Sequence, residues 1–255
     1  MESENNAKNM GDNEYFLFDI RRMAACHDSR QAYDDLYEIQ DLEQIESFYL
    51  WLMNLMRLPP GSTLLDISCG AGALVRLAVG RGVQAVGLDI SEVIARMAHN
   101  RAQGIITVGA GEYLPFADIS FDYVTNIGSL EHFTEPLLGV KEMTRVLKPG
   151  GRAFILVPNT FSLLTNVWVA FRTGHTSVDD QPIQRYGARA DWEALIQAGG
   201  LEVKKALKYE RIWPRLLSDW LYYLKRPKEL LRLLASPFVP LNLAFCFLYV
   251  CDRPS

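Results

Sequence analysis

Asp66, Asp89, Glu112, Asn126 and His132 each fall at, or just beyond, the end of a short apolar run of the kind that forms a buried strand. The first is the most informative. Thr63 to Ile67 reads as a strand, Ser68-Cys69-Gly70-Ala71-Gly72 as a tight turn of small residues, and Ala73 to Val79 as a helix ending near Gly80. Such a turn lets a ligand approach the backbone at a helix N-terminus, because glycine adds no Cβ bulk. An acid at the strand end separates it from a phosphate cradle. The Asp66 carboxylate would repel a pyrophosphate but suits a ligand carrying an ammonium or sulfonium group.

A second apolar strand, Gln84 to Leu88, closes on Asp89, one strand–helix–strand unit after Asp66. An acid there is placed to accept hydrogen bonds from ribose hydroxyls in nucleotide-binding α/β folds. The same residue precedes Ser91-Glu92, a helix start, so a capping role stands beside the ribose role. The glycine-rich turn upstream favours ribose.

The elements that must position these groups alternate. Further strands are predicted over Ile105–Val108, Phe121–Ile127, Ala153–Val157, Glu202–Tyr209 and Ala244–Cys251, with helices over Val93–Gln103, Pro136–Val146 and Asp191–Ala198. This order predicts an α/β fold, doubly wound on a mostly parallel seven-stranded sheet. In such sheets ligands collect outside the C-terminal strand ends, where the five polar residues fall. Residues 1–13 read as a disordered tail and 14–255 as a single domain. Its expected parts are a helical extension over 14–58, a core over 62–158, a lid over 159–189 and the second half of the sheet over 190–255.

Within the extension, Tyr33 and Tyr37 lie one helical turn apart, open to a site or to plain packing. The lid mixes Phe161, Trp168 and Phe171 with His175, Asp179, Asp180, Gln181 and Arg185, and long loops in compact domains often close over clefts. Leu216–Leu234 reads as one helix, aromatic on one side and basic at Lys225, Arg226, Lys228 and Arg232. It is either an ordinary surface helix with snorkelling cations or a contact for a membrane surface or an acidic substrate.

A net charge of -4 gives no broad attraction for nucleic acid, and no basic aromatic strip offers a base-flipping surface. The four cysteines lack CxxC spacing and read as reduced thiols. Met1 to Gly11 is polar and acidic, unlike a signal peptide, and the apolar run Leu241–Val250 is too short to span a bilayer. The expectation is a cytoplasmic protein with no nucleic-acid partner and no transmembrane segment.

The segments LLDISCGAG, GLDIS, GAGEYLPFADISFDYVTNIGSLEHF and EMTRVLKPGGRAFILVPN follow one another in an order and spacing that resembles the class I S-adenosylmethionine-dependent methyltransferases. More narrowly they are similar to the branch acting on small molecules and ubiquinone- or menaquinone-type precursors. The resemblance covers about Thr63 to Asn159. It implies a Rossmann-like sheet and S-adenosylmethionine as cofactor, leaving S-adenosylhomocysteine as product.

Position by position, the resemblance implies that Asp66 and the turn bearing Ser68, Gly70 and Gly72 hold the methionine part of the cofactor. Asp89 holds the ribose hydroxyls, Ile90 packs against the adenine, Gly111 and Glu112 flank its edge, and Asn126 offers a backbone carbonyl to the amino group. Two positions depart from the pattern: Ser68 stands at the first glycine of the turn, and Ala110 where related sequences often carry an acid. Some quinone-pathway relatives hold a metal with acids near Glu131, but Gly128 occupies the position three before it, so no metal is expected.

Methyl transfer from a sulfonium is an in-line displacement in which the protein aligns the acceptor and excludes water. His132 is the candidate base for an acceptor that loses a proton, with loop positioning as its alternative role. The acceptor is expected to be a small apolar or aromatic metabolite, read by Phe161, Trp168, Phe171, Trp213, Trp220, Tyr222 and Tyr223. Two other readings stand beside this one. A methyltransferase-like domain without turnover is the first. The second, a nicotinamide-dependent dehydrogenase, needs a third glycine where Val75 stands.

Overall fold

The computed structural model describes residues 16–22, 29–39, 44–177 and 181–255, so the tail, Cys26, Asp179 and Asp180 lie outside the described residues. The chain begins with β1 (Phe18–Arg22), α1 (Ser29–Ile39) and α2 (Glu46–Met56). The core follows as β2 (Thr63–Ile67), α3 (Ala73–Val79), β3 (Gln84–Asp89), α4 (Glu92–Ala102), β4 (Ile105–Val108), β5 (Phe121–Ile127), α5 (Pro136–Val146) and β6 (Leu147–Pro158). After it come α6 (Trp168–Thr173), β7 (Ile183–Gly187), α7 (Arg189–Ala198), β8 (Glu202–Tyr209), α8 (Leu217–Leu224), α9 (Pro227–Ala235) and β9 (Cys246–Asp252).

Seven strands form the predicted sheet in the order β4-β3-β2-β5-β6-β9-β8. The five from β4 to β6 are parallel, and β9 runs antiparallel between β6 and β8. Side-chain alternation along each strand builds two cores, one on each face. Leu65, Ile155, Phe247 and Tyr249 share the first with Met143 of α5 and Trp192 of α7. Leu64, Phe154, Leu156 and Leu248 share the second with Leu52 of α2 and Val75 of α3. A sheet covered on both faces explains why its strands read as nearly continuous apolar runs. The strand order reverses between β2 and β5, and the crevice at that switch is where ligands collect in open α/β sheets.

Three expectations need correction. The extension over 14–58 is not helical throughout, because Phe18–Arg22 is a strand that pairs antiparallel with β7 as a separate two-stranded ribbon. That partner lies in the lid, beyond the reach of local periodicity. The predicted helix over Leu216–Leu234 is two helices, α8 and α9, parted at Lys225-Arg226. Pro227, which has no N–H to donate, starts the second. The predicted lid is also partly ordered into a π-helical turn, Leu163–Val167, then α6 and β7.

Candidate functional site

A cavity of about 1100 Å³ opens over the C-terminal ends of β2, β3 and β5. Its floor is the turn after β2. Gly72 N donates to Cys69 O at 3.0 Å, and Cys69 N donates to Leu88 O at 3.0 Å, which ties the turn to β3. Ser68, Gly70 and Gly72 all adopt left-handed backbone, with φ of 58°, 53° and 79°. Ser68 therefore takes the conformation the missing glycine would supply. A side chain there costs about 1 kcal/mol in that region, while glycine gives back part of this through a freer unfolded chain. Ser68→Gly should raise stability by about 0.5–1 kcal/mol in urea unfolding. A neutral or destabilising result would mean that the hydroxyl makes a stabilising contact.

The two acids meet at this floor. Asp66 and Asp89 are both buried, at 3% and 2% exposure. Asp66 Oδ1 accepts from the hydroxyl of Thr125, its register partner on β5, at 2.7 Å. Burial pushes the Asp66 carboxyl up to about 7, the Thr125 hydrogen bond opposes this, and the charge of Asp89 adds to it. Asp89 Oδ2 accepts from Gly70 N at 2.9 Å and Oδ1 from Ser91 N at 3.0 Å. Burial pushes its carboxyl up to about 6, against those backbone hydrogen bonds. The helix cap itself is Ser91, whose Oγ accepts from Ile94 N and donates to Asp34 of α1. Asp89 thus anchors the turn with one lone pair on each oxygen and keeps further acceptor capacity.

The far side of the cavity is the turn after β5. Ile127, Gly128, Ser129, Glu131 and His132 line it, whereas Asn126 does not. Asn126 is fully buried, with Oδ1 accepting from Leu130 N at 2.9 Å, and so shapes the turn from beneath. His132 Nδ1 lies 2.6 Å from Ile183 O on β7. A carbonyl only accepts, so Nδ1 carries the proton and, in the neutral ring, Nε2 is the basic nitrogen. Nε2 is 3.9 Å from Glu131 Oε1. Arg185, buried at 6%, donates to the carbonyls of Glu131, Phe133 and Thr134 and fixes this turn. It lies outside the lining, as does the exposed His175.

Gly111 and Glu112 do line the cavity. The bare α-carbon of Gly111 is explained by packing, since a Cβ there would lie 2.2 Å from Phe133 Cζ. Glu112 Oε1 accepts from Thr134 N at 2.9 Å. Ile90 and both Tyr33 and Tyr37 are lining residues.

The aromatics expected to read the acceptor are elsewhere. Phe161, Trp168, Phe171, Trp213 and Trp220 are exposed on outer faces, Tyr223 is buried, and none of them, nor Tyr222, lines the cavity. Aromatic residues that do line it include Phe48 and Tyr49 of α2, Tyr186 of β7, Tyr209 of β8 and Phe245. They are scattered over the chain, and no local motif marks them. Two polar groups join this wall: Ser129 Oγ and Gln184 Oε1 are buried without a hydrogen-bond partner.

Residues 65–155 match the family described as "Methyltransferase domain". Demethylmenaquinone methyltransferases of Staphylococcus carnosus and Staphylococcus epidermidis are 34% identical over 131 residues and 36% identical over 133 residues, respectively. Each alignment covers 49% of this chain, and 54% and 55% of those proteins, so it spans about half the length of these relatives. Among solved structures, an S-adenosylmethionine-dependent methyltransferase from Mesorhizobium loti superposes with a TM-score of 0.58 at 14% identity, over 80% of this chain and 98% of that one. The [4+2]-cyclase SpnF superposes with a TM-score of 0.60 at 18% identity, over 82% and 81%. At such identities these two fix the fold alone. Over residues 65–155 the chain is thus similar to methyltransferase domains, and over about half its length to demethylmenaquinone methyltransferases.

The donor set fits S-adenosylmethionine. Paired acids suit a sulfonium, an ammonium and a ribose diol, and the position a Cβ of Gly70 would take meets no atom within 4 Å. The floor is therefore open where a backbone-hugging ligand would lie.

Proposed function

We propose that this protein transfers a methyl group from S-adenosylmethionine to a small apolar or aromatic acceptor, with a quinone-type ring as the leading class. The observation that carries the reading is the pair of buried acids, Asp66 and Asp89, at adjacent strand ends beside a left-handed turn. Asp66 and the turn from Ser68 to Gly72 would hold the methionine end, Asp89 the ribose, and Ile90, Gly111 and Glu112 the adenine side. When bound, the cofactor supplies the electrophilic methyl group.

The chain's own residues do the rest. The aromatic wall of Phe48, Tyr49, Tyr186, Tyr209 and Phe245 excludes water and stacks a flat acceptor. Ser129 and Gln184 offer unpaired polar atoms that orient its oxygen or nitrogen. His132, held by Ile183 O, takes up the acceptor's proton at Nε2. The names of the menaquinone-pathway relatives support the quinone-type choice.

The test is calorimetric titration with S-adenosylmethionine, followed by an acceptor screen that reads a gain of one methyl group by mass. Asp89→Ala should weaken cofactor binding by about 1–3 kcal/mol, because hydrogen bonds to a charged group are lost. Unchanged affinity in this variant would remove Asp89 from the cofactor site. Absence of methyl transfer to any quinol or phenol by a cofactor-loaded protein would sink the acceptor assignment.

A further inference from the structure

The helical hairpin between β8 and β9 carries an apolar surface that no part of the described chain covers. On α8, Leu217, Trp220, Leu221 and Leu224 follow one another at i, i+3, i+4 and i+7, which puts them on one helix face. All four are exposed, Leu217 at 75% and Leu224 at 63%. The opposite face is the packed one: Asp219 and Tyr223 are buried, and Asp219 accepts from Ser47 N of α2. The usual polarity of a surface helix is inverted here. On α9 and just beyond, Leu231, Leu234 and Phe238 repeat the pattern at i, i+3 and i+7, with Phe238 at 87% exposure. Exposed apolar residues gathered on helix faces in this way mark an interaction site.

Its charges say what the partner is. Lys225, Arg226 and Lys228 sit at the bend between the two faces and are exposed. Among the described residues none of the three has a carboxylate within salt-bridge reach, and Arg226 lies 4.2 Å over the Tyr222 ring. The acids of the hairpin are both withdrawn from the surface. Asp219 is buried, and Glu229 is paired with Arg211 and Arg232. A chain of net charge -4 thus presents here a local surface of apolar residues and unpaired cations. A second copy docked face to face would bring like cations together with no acid to neutralise them. An anionic lipid surface satisfies both features, taking leucine and tryptophan into its interfacial layer and the cations at its headgroups.

We infer that the α8–α9 hairpin docks the protein peripherally on anionic membranes, with Leu217, Trp220, Leu221, Leu224, Leu231, Leu234 and Phe238 entering the interface and Lys225, Arg226 and Lys228 contacting phosphate. Helix α9 also carries Arg232, which lines the cavity. The inference stands apart from the methyl-transfer reading, because it rests on the outer face of the hairpin alone.

Co-sedimentation of the full chain with vesicles tests it. Vesicles of phosphatidylcholine with 30% phosphatidylglycerol should pellet the protein, whereas phosphatidylcholine alone should pellet about tenfold less. Added salt should weaken binding. Lys225→Glu combined with Lys228→Glu should reduce binding to the anionic vesicles by about tenfold or more, as should Leu224→Glu with Leu231→Glu. These side chains are exposed, and circular dichroism should show both double variants folded. Absence of binding to the anionic vesicles would overturn the inference, as would binding that both double variants retain. A dimer in sedimentation velocity that Leu224→Glu dissolves, without vesicle binding, would also overturn it and assign the face to a second copy.

Discussion

Asp66→Asn is expected to make the ligand-free protein more stable at pH 8 and at the same time to cost most of its cofactor affinity. The burial that lifts the Asp66 carboxyl to about 7 makes its charged form unfavourable in the empty site. An aspartate is unperturbed near 3.9 in the unfolded chain, so the raised folded value makes this group's stability contribution fully present below about 4 and lost as pH climbs through 7. About three pKa units at 1.36 kcal/mol each set an upper bound near 4 kcal/mol on the penalty at pH 8. Asparagine carries no charge and can still accept from the Thr125 hydroxyl, so denaturant titration at pH 8 should show a gain of about 2–4 kcal/mol over wild type. At pH 4 the gain should vanish.

Affinity moves the other way. The carboxylate that destabilises the empty site attracts a cationic ligand, so S-adenosylmethionine binding should fall about tenfold to a hundredfold in the variant. In the wild type, affinity should fall as pH drops through 7, because Asp66 must then give up a proton on binding. A variant that is less stable at pH 8, or one that binds the cofactor as tightly as wild type, would refute the assignment.

The second large effect is at His132. His132→Ala should slow methyl transfer in single turnover by about 10²-fold, the usual share of a positioned general base. The cofactor dissociation constant should stay near wild type. His132→Asn separates base from prop, since its amide can still donate to Ile183 O yet cannot take up a proton. If the ring is the base, both variants are slow and both lose the rise of rate with pH. An asparagine variant within about threefold of wild type would leave His132 as a residue that positions the turn.

The part of the site that lies in order along the chain was legible from the sequence alone. Asp66, the small-residue turn and Asp89 sit at strand ends, where period and punctuation reveal them together. Seven strands and their mostly parallel order were readable because the central strands are near-continuous apolar runs, while the edge strand β8 still alternates enough to read as a strand. The aromatic wall of the cavity was not. Tyr209 and Phe245 reach the cavity from the strand edge and loop of the last sheet half, and Phe48 from a helix long before it. Their convergence depends on β9 inserting between β6 and β8, which no local pattern encodes. The exposed tryptophans point the other way: Trp168 of α6, Trp213 of the loop after β8 and Trp220 of α8 are exposed, and none lines the cavity. Ser68 shows a subtler limit, since only its backbone angle reveals that a non-glycine residue keeps the turn.

The β1–β7 ribbon has a consequence for how the chain comes into being. It pairs Phe18 with Gly187 and Arg22 with Ile183, joining segments about 160 residues apart. During synthesis, β1 leaves the ribosome first and has no partner until β7 follows, about 8–30 s later at 5–20 residues per second. Through that interval its backbone donors and acceptors and the Phe18 ring, destined to sit 4.5 Å from the Trp192 ring, have nothing native to meet. Newly made chains should therefore pass through a stage in which the nucleotide-side sheet is assembled while the first strand still awaits its mate, a stage open to capture by chaperones.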